Sequence, residues 1–448
     1  MRDKYTMQVM QKSNRIVVII LGLLLVALLL AACEEDDPEP TDTPVPPTEV
    51  PASATPSPQP PTPTEEPTAR EGVVVIPPGD TVKIAVATDL SNILPAPGLD
   101  IAQGAELAVM DYMEERGGLF DFEIELVVQD DLCLEDGALA VAEEFAARGD
   151  ILAVVGHVCS GASIPASEIY QEARIPMVSP SSTAGVFTAR GLDVVNRTAF
   201  NDNIQGVVAA RYIYQVLETR QIVVLHNQTS YGEGLATTVA ETFEELGGDV
   251  LMFQAIDIEE EDYRMILRAA ATQDTELIYL GGYDDEAARL VEQMNELGLD
   301  DTLFFTDDGA YTPDFLELAA ENAEGVYVTF GTQSGSEDGD DFAEHYEMVF
   351  GVDPEELGPF HEQSYDAANI ILQALEEVTK IDDDGNLLID RELLIDAIRA
   401  TKGYEGQSGT ISCDENGDCG SASIDVFQVI DGDWEQLEVP QELQVLQQ

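Results

Sequence analysis

GHVCSGASIPASEIYQEARIPMVSPSSTAGVFTARG, residues 156–191, holds two strand-to-helix turns in succession. An apolar run, Ile151–Val155, leads into Cys159-Ser160-Gly161, and a second, Ile175–Val178, leads into Ser181-Ser182-Thr183. Small hydroxyl residues can cap the helices expected there, and the free N–H groups of a helix start also attract an anion. Two such turns side by side on a parallel sheet make a pocket for a small carboxylate. That is a binding site rather than an obvious catalytic one.

Outward from this stretch, the pattern from Thr81 onward alternates apolar, β-rich runs with helical segments. Strands are expected at 82–87, 122–128, 151–155, 176–178, 222–226, 250–255, 277–279, 303–305 and 326–329. Helices are expected at 101–116, 137–148, 202–217, 234–246, 262–271 and 285–297, with Asp100 and Asp202 placed to cap two of them. Near-continuous apolar strands separated by helices mean parallel sheets covered on both faces. Ligands of such sheets sit beyond the carboxyl ends of the strands. Polar residues break the pattern at those ends: Asp89, Ser160, Ser181–Thr183, Tyr231, Gly281-Gly282-Tyr283 and Asp307-Asp308. They come from both halves of the chain, so the site is expected in a cleft between two α/β lobes.

The chain has 448 residues, enough for two domains once its N-terminus is set aside. Arg2, Lys4, Lys12 and Arg15 precede the apolar stretch Ile16–Leu30, a secretory signal too short for an ordinary membrane span. Its ending, Leu30-Ala31-Ala32-Cys33, looks like a bacterial lipobox in which Cys33 is lipidated. The alternative is a plain signal peptide or short anchor that happens to contain a cysteine. Residues 34–79 are rich in Pro, Thr, Ser and Glu, and are expected to form a disordered tether. Its maximum reach, at about 3.1 Å for each of about 45 residues, is roughly 140 Å.

Five cysteines less Cys33 leave Cys133, Cys159, Cys413 and Cys419, an even set that suggests two disulfides in an exported chain. Cys413 and Cys419 flank the turn-forming run DENGD, while Cys133 and Cys159 each follow an expected strand. A four-thiolate zinc site is the alternative, although no CxxC spacing is present. With 20 basic and 87 acidic residues the net charge is −67, which argues against nucleic acid and anionic lipid as partners. Such acidity serves solubility at a cell surface or life at high salt.

GHVCSGASIPASEIY, SPSSTAGVFTARG, SYGEGLA, IYLGGYDDEA and SYDAANI, taken in order, closely resemble the leucine/isoleucine/valine-binding protein family. These are extracytoplasmic receptors that feed ABC importers, and the resemblance runs from about Lys83 to the end of the chain. It implies an α/β fold of two Rossmann-like doubly wound lobes with a hinged cleft, the type I periplasmic binding protein arrangement. Lobe 1 is expected at 81–201 plus 332–411 and lobe 2 at 202–331 plus 412–448. The resemblance further implies that Ser160 and Thr183 hold a ligand α-carboxylate. The Ser181 carbonyl and Asp308 then hold its α-ammonium, with Asp307 as the alternative acid. Tyr231, Tyr283, Val158 and Phe360 fall at further cleft positions, and Cys133–Cys159 matches the family disulfide.

The function expected is that of an amino-acid receptor, for a branched-chain or other small apolar ligand, which delivers to an ABC permease in the membrane. It is expected to be a monomer, held to the membrane by its lipid alone, with no cofactor, no metal and no enzymatic activity. An amide or urea receptor, or a sensor domain of the same fold, is the alternative. Two departures from the family bear on specificity. Asp308 stands where Glu is common, and the loop Leu90–Pro97 lacks the aromatic of leucine-type receptors. Among sharper-looking features, His157 is expected to serve packing and turn geometry. Asp382–Gly385 is expected to be a solvated turn, since Lys380 and Arg391 stand where calcium ligands belong. No G-x-S-x-G surrounds Ser160, and no phosphate-binding loop is present.

Overall fold

A computed structural model describes residues 72–331, 339–420 and 423–444, and all of them belong to one compact unit. The expected signal segment, most of the expected tether and Cys33, the expected site of lipidation, lie outside the described residues. Part of the tether expected at 34–79 takes regular structure instead. Val73–Ile76 is a strand, β1, that pairs antiparallel with Leu387–Asp390. Three valines and an isoleucine have the stiffness and apolar surface of a strand, and the acceptor was far away in sequence.

The first layer is a five-stranded parallel sheet. Its members are β2 (Val82–Thr88), β3 (Ile124–Asp130), β4 (Ile151–Gly156), β5 (Met177–Ser179) and β6 (Val195–Arg197), in the order β3-β2-β4-β5-β6. Every residue of β4 is buried, which explains its unbroken apolar run: helices cover both faces. Helix α1 (Pro95–Arg116) follows β2, α2 (Glu135–Arg148) follows β3, and α3 (Ser160–Ala173) follows β4. The strand order reverses between β2 and β4, so a crevice opens beyond their carboxyl ends.

The second layer has seven strands. Its parallel part is β8-β7-β9-β10-β11, made of β7 (Gln221–His226), β8 (Asp249–Ala255), β9 (Leu277–Gly281), β10 (Leu303–Phe305) and β11 (Tyr327–Gly331). An antiparallel edge, Ile424–Ile430 and Asp433–Leu437, completes it beside β11. Those two edge strands, like Leu387–Asp390, were not among the expected strands. Here the order reverses between β7 and β9, placing a second crevice near Tyr231 and Tyr283. After β11 the chain returns to the first layer, where the helix His361–Val378 packs against α1, β4 and β5.

Two expected caps are reassigned. Helix α1 begins at Pro95, where proline suits a first turn, so Asp100 lies inside it and is fully buried. Its carboxylate instead accepts the Phe360 N–H at 2.8 Å and meets His361 Nδ1 at 3.0 Å, at the start of the helix His361–Val378. Asp202 is the first residue of the helix Asp202–Gln215. The cap is Asn201, which accepts from the Asn203 N–H at 2.8 Å. Both cases show a carboxylate near a helix start answering to tertiary packing rather than to its own helix. Asp382 lies in the solvated turn expected of it, accepting the N–H groups of Asp384 and Asn386 at 3.0 and 2.8 Å.

Candidate ligand-binding site

At the end of β4, Cys159 forms a disulfide with Cys133, and Cys413 forms one with Cys419. His157 is fully buried between Asp131 Oδ2, 2.6 Å from its Nδ1, and Tyr170 Oη, 3.0 Å from its Nε2. Asp131 also accepts the Cys133 N–H at 2.8 Å. A buried hydrogen-bonded chain and a covalent link therefore fix the backbone just before Ser160. Serine hydroxyls then stitch this turn to the next. Ser181 Oγ donates to the Val158 carbonyl at 2.9 Å, and Ser179 Oγ to the His157 carbonyl at 2.8 Å.

Ser160 Oγ accepts the Ala184 N–H at 3.2 Å, which leaves its own proton to donate. Thr183 Oγ1 is buried and has no hydrogen-bond partner in the protein. Ser181 differs: its hydroxyl is already engaged, so what it can offer a ligand is main chain. Each hydroxyl in this half of the site thus has a definite assignment, and two donors remain uncommitted.

The facing half is charged. Tyr231 Oη donates to Asp308 Oδ1 at 2.8 Å and accepts the Gly309 N–H at 2.8 Å. Gln205 Nε2 donates to the same carboxylate oxygen at 2.8 Å. Tyr231 stacks on Tyr283, with centroids 5.5 Å apart and planes at 12°. Gly281 allows this approach of β9 to the helix after β7: a Cβ there would lie 2.2 Å from the Gly232 carbonyl. Asp307 points elsewhere, accepting the Gly282 N–H at 3.1 Å and the Gly309 N–H at 3.3 Å.

Burial pushes the Asp308 carboxyl up to about 6, against the hydrogen bonds from Gln205 and Tyr231. Burial and then the Asp308 charge hold Asp307 well above the usual carboxylate range. The same two causes raise Asp202, and the neighbouring Thr183 hydroxyl and Arg197 offset them only in part. Three carboxylates are therefore crowded together with little compensation.

All eight residues expected to touch ligand line one cavity: Val158, Ser160, Ser181, Thr183, Tyr231, Tyr283, Asp308 and Phe360. Asp307 does not, nor does Asp89. Asp89 is fully buried and gathers the N–H groups of Ser91, Asn92, Ile93 and Leu94 at 3.1, 2.9, 2.6 and 2.7 Å. It folds the first loop around itself and so places Leu94 and Pro97, members of the loop noted for its bearing on specificity though not singled out there, at the cavity wall. Pro359 and Thr312 also line it without having been foreseen, and nothing in their sequence context distinguishes them. The cavity volume is about 30 Å³, and no cationic side chain is among its lining residues. One end offers hydroxyls and helix-start N–H groups, the opposite wall one carboxylate, and the rest is apolar.

Such a cavity, made where the strand order reverses in each of two α/β layers, lies where ligands of doubly wound sheets bind. The chain belongs to the periplasmic binding protein family, whose model matches residues 81–433. It is 29% identical to the leucine-, isoleucine-, valine-, threonine- and alanine-binding protein of Pseudomonas aeruginosa over 349 residues, 78% of this chain and 90% of that one. It is 33% identical to the Leu/Ile/Val-binding protein of Escherichia coli over 250 residues, 56% of this chain and 67% of that one. Among solved structures, the leucine-binding protein LivK of Thermotoga maritima superposes with a TM-score of 0.71 at 29% identity, covering 80% of this chain and 98% of that one. LivJ of Streptococcus pneumoniae in complex with isoleucine gives 0.68 at 25% identity, with the same two coverages. The type I periplasmic binding protein fold is therefore that of this chain, and family and disulfides together indicate an extracytoplasmic location. No described helix is long and apolar enough to cross a membrane.

Proposed function

We propose that the protein is the receptor of an ABC importer and closes on an α-amino acid with a small apolar side chain, in the branched-chain range. Ser160 and Thr183 donate to the ligand carboxylate, while the Ser181 carbonyl and Asp308 receive its ammonium. Val158, Tyr231, Tyr283 and Phe360, with Leu94 and Pro97, surround the side chain. Ligand entry and exit follow hinge bending between lobe 1, 81–201 plus 332–411, and lobe 2, 202–331 plus 412–448. Cys33 carries the lipid that tethers the receptor beside its permease.

The observation that carries this is the pairing across one cavity of uncommitted neutral donors with a single cavity-facing carboxylate. A zwitterion loses water from both charges in a closed cleft, so each needs a partner. A neutral amide or urea leaves Asp308 uncompensated, which disfavours that alternative. Calorimetric titration of the folded domain with leucine, isoleucine, valine and alanine is expected to give micromolar dissociation constants, about −8 kcal/mol. Saturable binding of an uncharged amide with no binding of any of these amino acids overturns the assignment.

A further inference from the structure

We propose that Arg197, locked by Asp418 of the Cys413–Cys419 loop, is the positioning residue that aims the Ser182–Ala184 backbone at the ligand carboxylate. It rests on the reading of the cavity as an amino-acid site.

Arg197 ends β6 and is fully buried. Its Nη1 donates to three successive carbonyls, those of Ser182, Thr183 and Ala184, at 3.1, 2.6 and 3.1 Å. In a trans peptide the N–H points opposite the carbonyl. With these three carbonyls drawn to one guanidinium, the N–H groups of Thr183, Ala184 and Gly185 are turned the other way. The Ala184 N–H shows where: it donates to Ser160 Oγ, a hydroxyl of the cavity wall.

The guanidinium is itself held. Its Nε donates to Asp418 Oδ1 at 2.5 Å, and Nη2 to Thr188 Oγ1 at 3.2 Å. Asp418 also accepts from Thr188 Oγ1 at 3.0 Å and from Asn201 Nδ2 at 3.0 Å, so it grips both sides of the turn. The main chain joins in. The Arg197 N–H donates to the Gly417 carbonyl at 2.9 Å, and the Cys419 N–H to the Arg197 carbonyl at 3.0 Å. Within the loop, Asp414 Oδ1 accepts the N–H groups of Asn416, Gly417 and Asp418 at 2.8, 2.9 and 3.0 Å. Gly417 sits at φ +97°, and a Cβ there would fall 2.2 Å from the Val195 carbonyl. The loop is thus rigid, closed by its disulfide and seated directly on β6. Its one ionised contact with the site is the pair Asp418–Arg197, which keeps a buried cation neutralised.

The test measures Kd for the best-bound of leucine, isoleucine and valine, and for the α-amide of the same amino acid. The proteins are wild type, Asp418→Asn, Arg197→Lys and the double variant Cys413→Ser/Cys419→Ser. Asp418→Asn is expected to weaken binding of the acid by roughly 10- to 100-fold. Binding of the amide is expected to weaken by a clearly smaller factor, because its neutral carbonyl accepts from the same donors more weakly than a carboxylate does. The double cysteine variant should move the same way by a smaller factor. Arg197→Lys, which cannot span three carbonyls and Asp418 together, should match or exceed Asp418→Asn. If it does not fold, Asp418→Asn alone decides. Equal losses for acid and amide, or no loss in folded Asp418→Asn, overturn the positioning role while leaving the amino-acid site intact. If wild type binds none of the three amino acids, the site itself is misassigned and the positioning role falls with it.

Discussion

The two halves of the cavity meet the same ligand by opposite means. The half built on β4 and β5 is neutral and nearly complete: its serines are committed, a disulfide and a His157–Asp131 pair hold it, and Thr183 Oγ1 stands ready. The half reached from β7, β9 and β10 is charged and unfinished. Asp308, Asp307 and Asp202 are buried together, and all three are pushed toward holding protons. A preorganised neutral pocket loses little when empty, whereas crowded carboxylates gain when a cation arrives. Anion recognition here is a matter of geometry, and cation recognition a matter of relieved repulsion.

The contrast is broken most directly at Asp308. Asp308→Ala is expected to weaken amino-acid binding by about 3–5 kcal/mol, since a desolvated ammonium is left unpaired. The same change should leave the empty protein as stable as wild type or more so, by thinning the acid cluster. Calorimetry and thermal unfolding of one preparation test both. A variant that binds normally ends the assignment of the ammonium to Asp308.

Proton linkage gives the next largest effect. Asp308 rises from an ordinary 3.8 to about 6 in the folded, empty protein, so the folded state holds a proton that the unfolded chain releases. Its stability contribution is therefore present below pH 3.8 and is lost as pH climbs through about 6. Unfolding midpoints of the empty protein should fall between about pH 4 and pH 6.5. Ligand binding should do the reverse, weakening below about pH 6 because the ammonium must displace that proton. Calorimetry in two buffers of different ionisation enthalpy should then show proton release near pH 6. Binding enthalpies independent of buffer would contradict the linkage.

The smallest effect is expected on the neutral side. Ser160→Ala removes one donor and the acceptor of the Ala184 N–H, at a cost of about 1–3 kcal/mol in binding. Unlike the Asp308 change, it should leave the pH dependence untouched. If Ser160→Ala shifts the pH profile, the two halves are coupled more closely than their separate hydrogen-bond networks suggest.

What the sequence made legible follows from these differences. The first layer was readable because buried parallel strands such as Ile151–Gly156 carry an unbroken apolar signature, and the polar residues that end them stand out. Six of the eight cavity residues fall in the short stretches that carry the family resemblance, Asp308 stands out as a polar residue ending an apolar strand, and Phe360 was placed by the resemblance alone. Asp100, Asp89 and Arg197 were not readable in their roles, since each acts on a segment brought to it only by folding. Asp100 caps a helix 260 residues later, a partnership no local window contains. Strand Val73–Ile76 was hidden for the same reason: its partner begins at Leu387.

The loop gathered on Asp89 has a consequence for how new specificities arise. Four backbone N–H groups converge on one carboxylate, so the path of residues 91–94 is set from beneath rather than by the side chains at its tip. Leu94 and Pro97 ride on that support at the cavity wall. The segment behaves as a cartridge: its tip can be exchanged while its socket stays the same. Selection, or a designer of amino-acid biosensors, can retune the cavity there without disturbing either sheet.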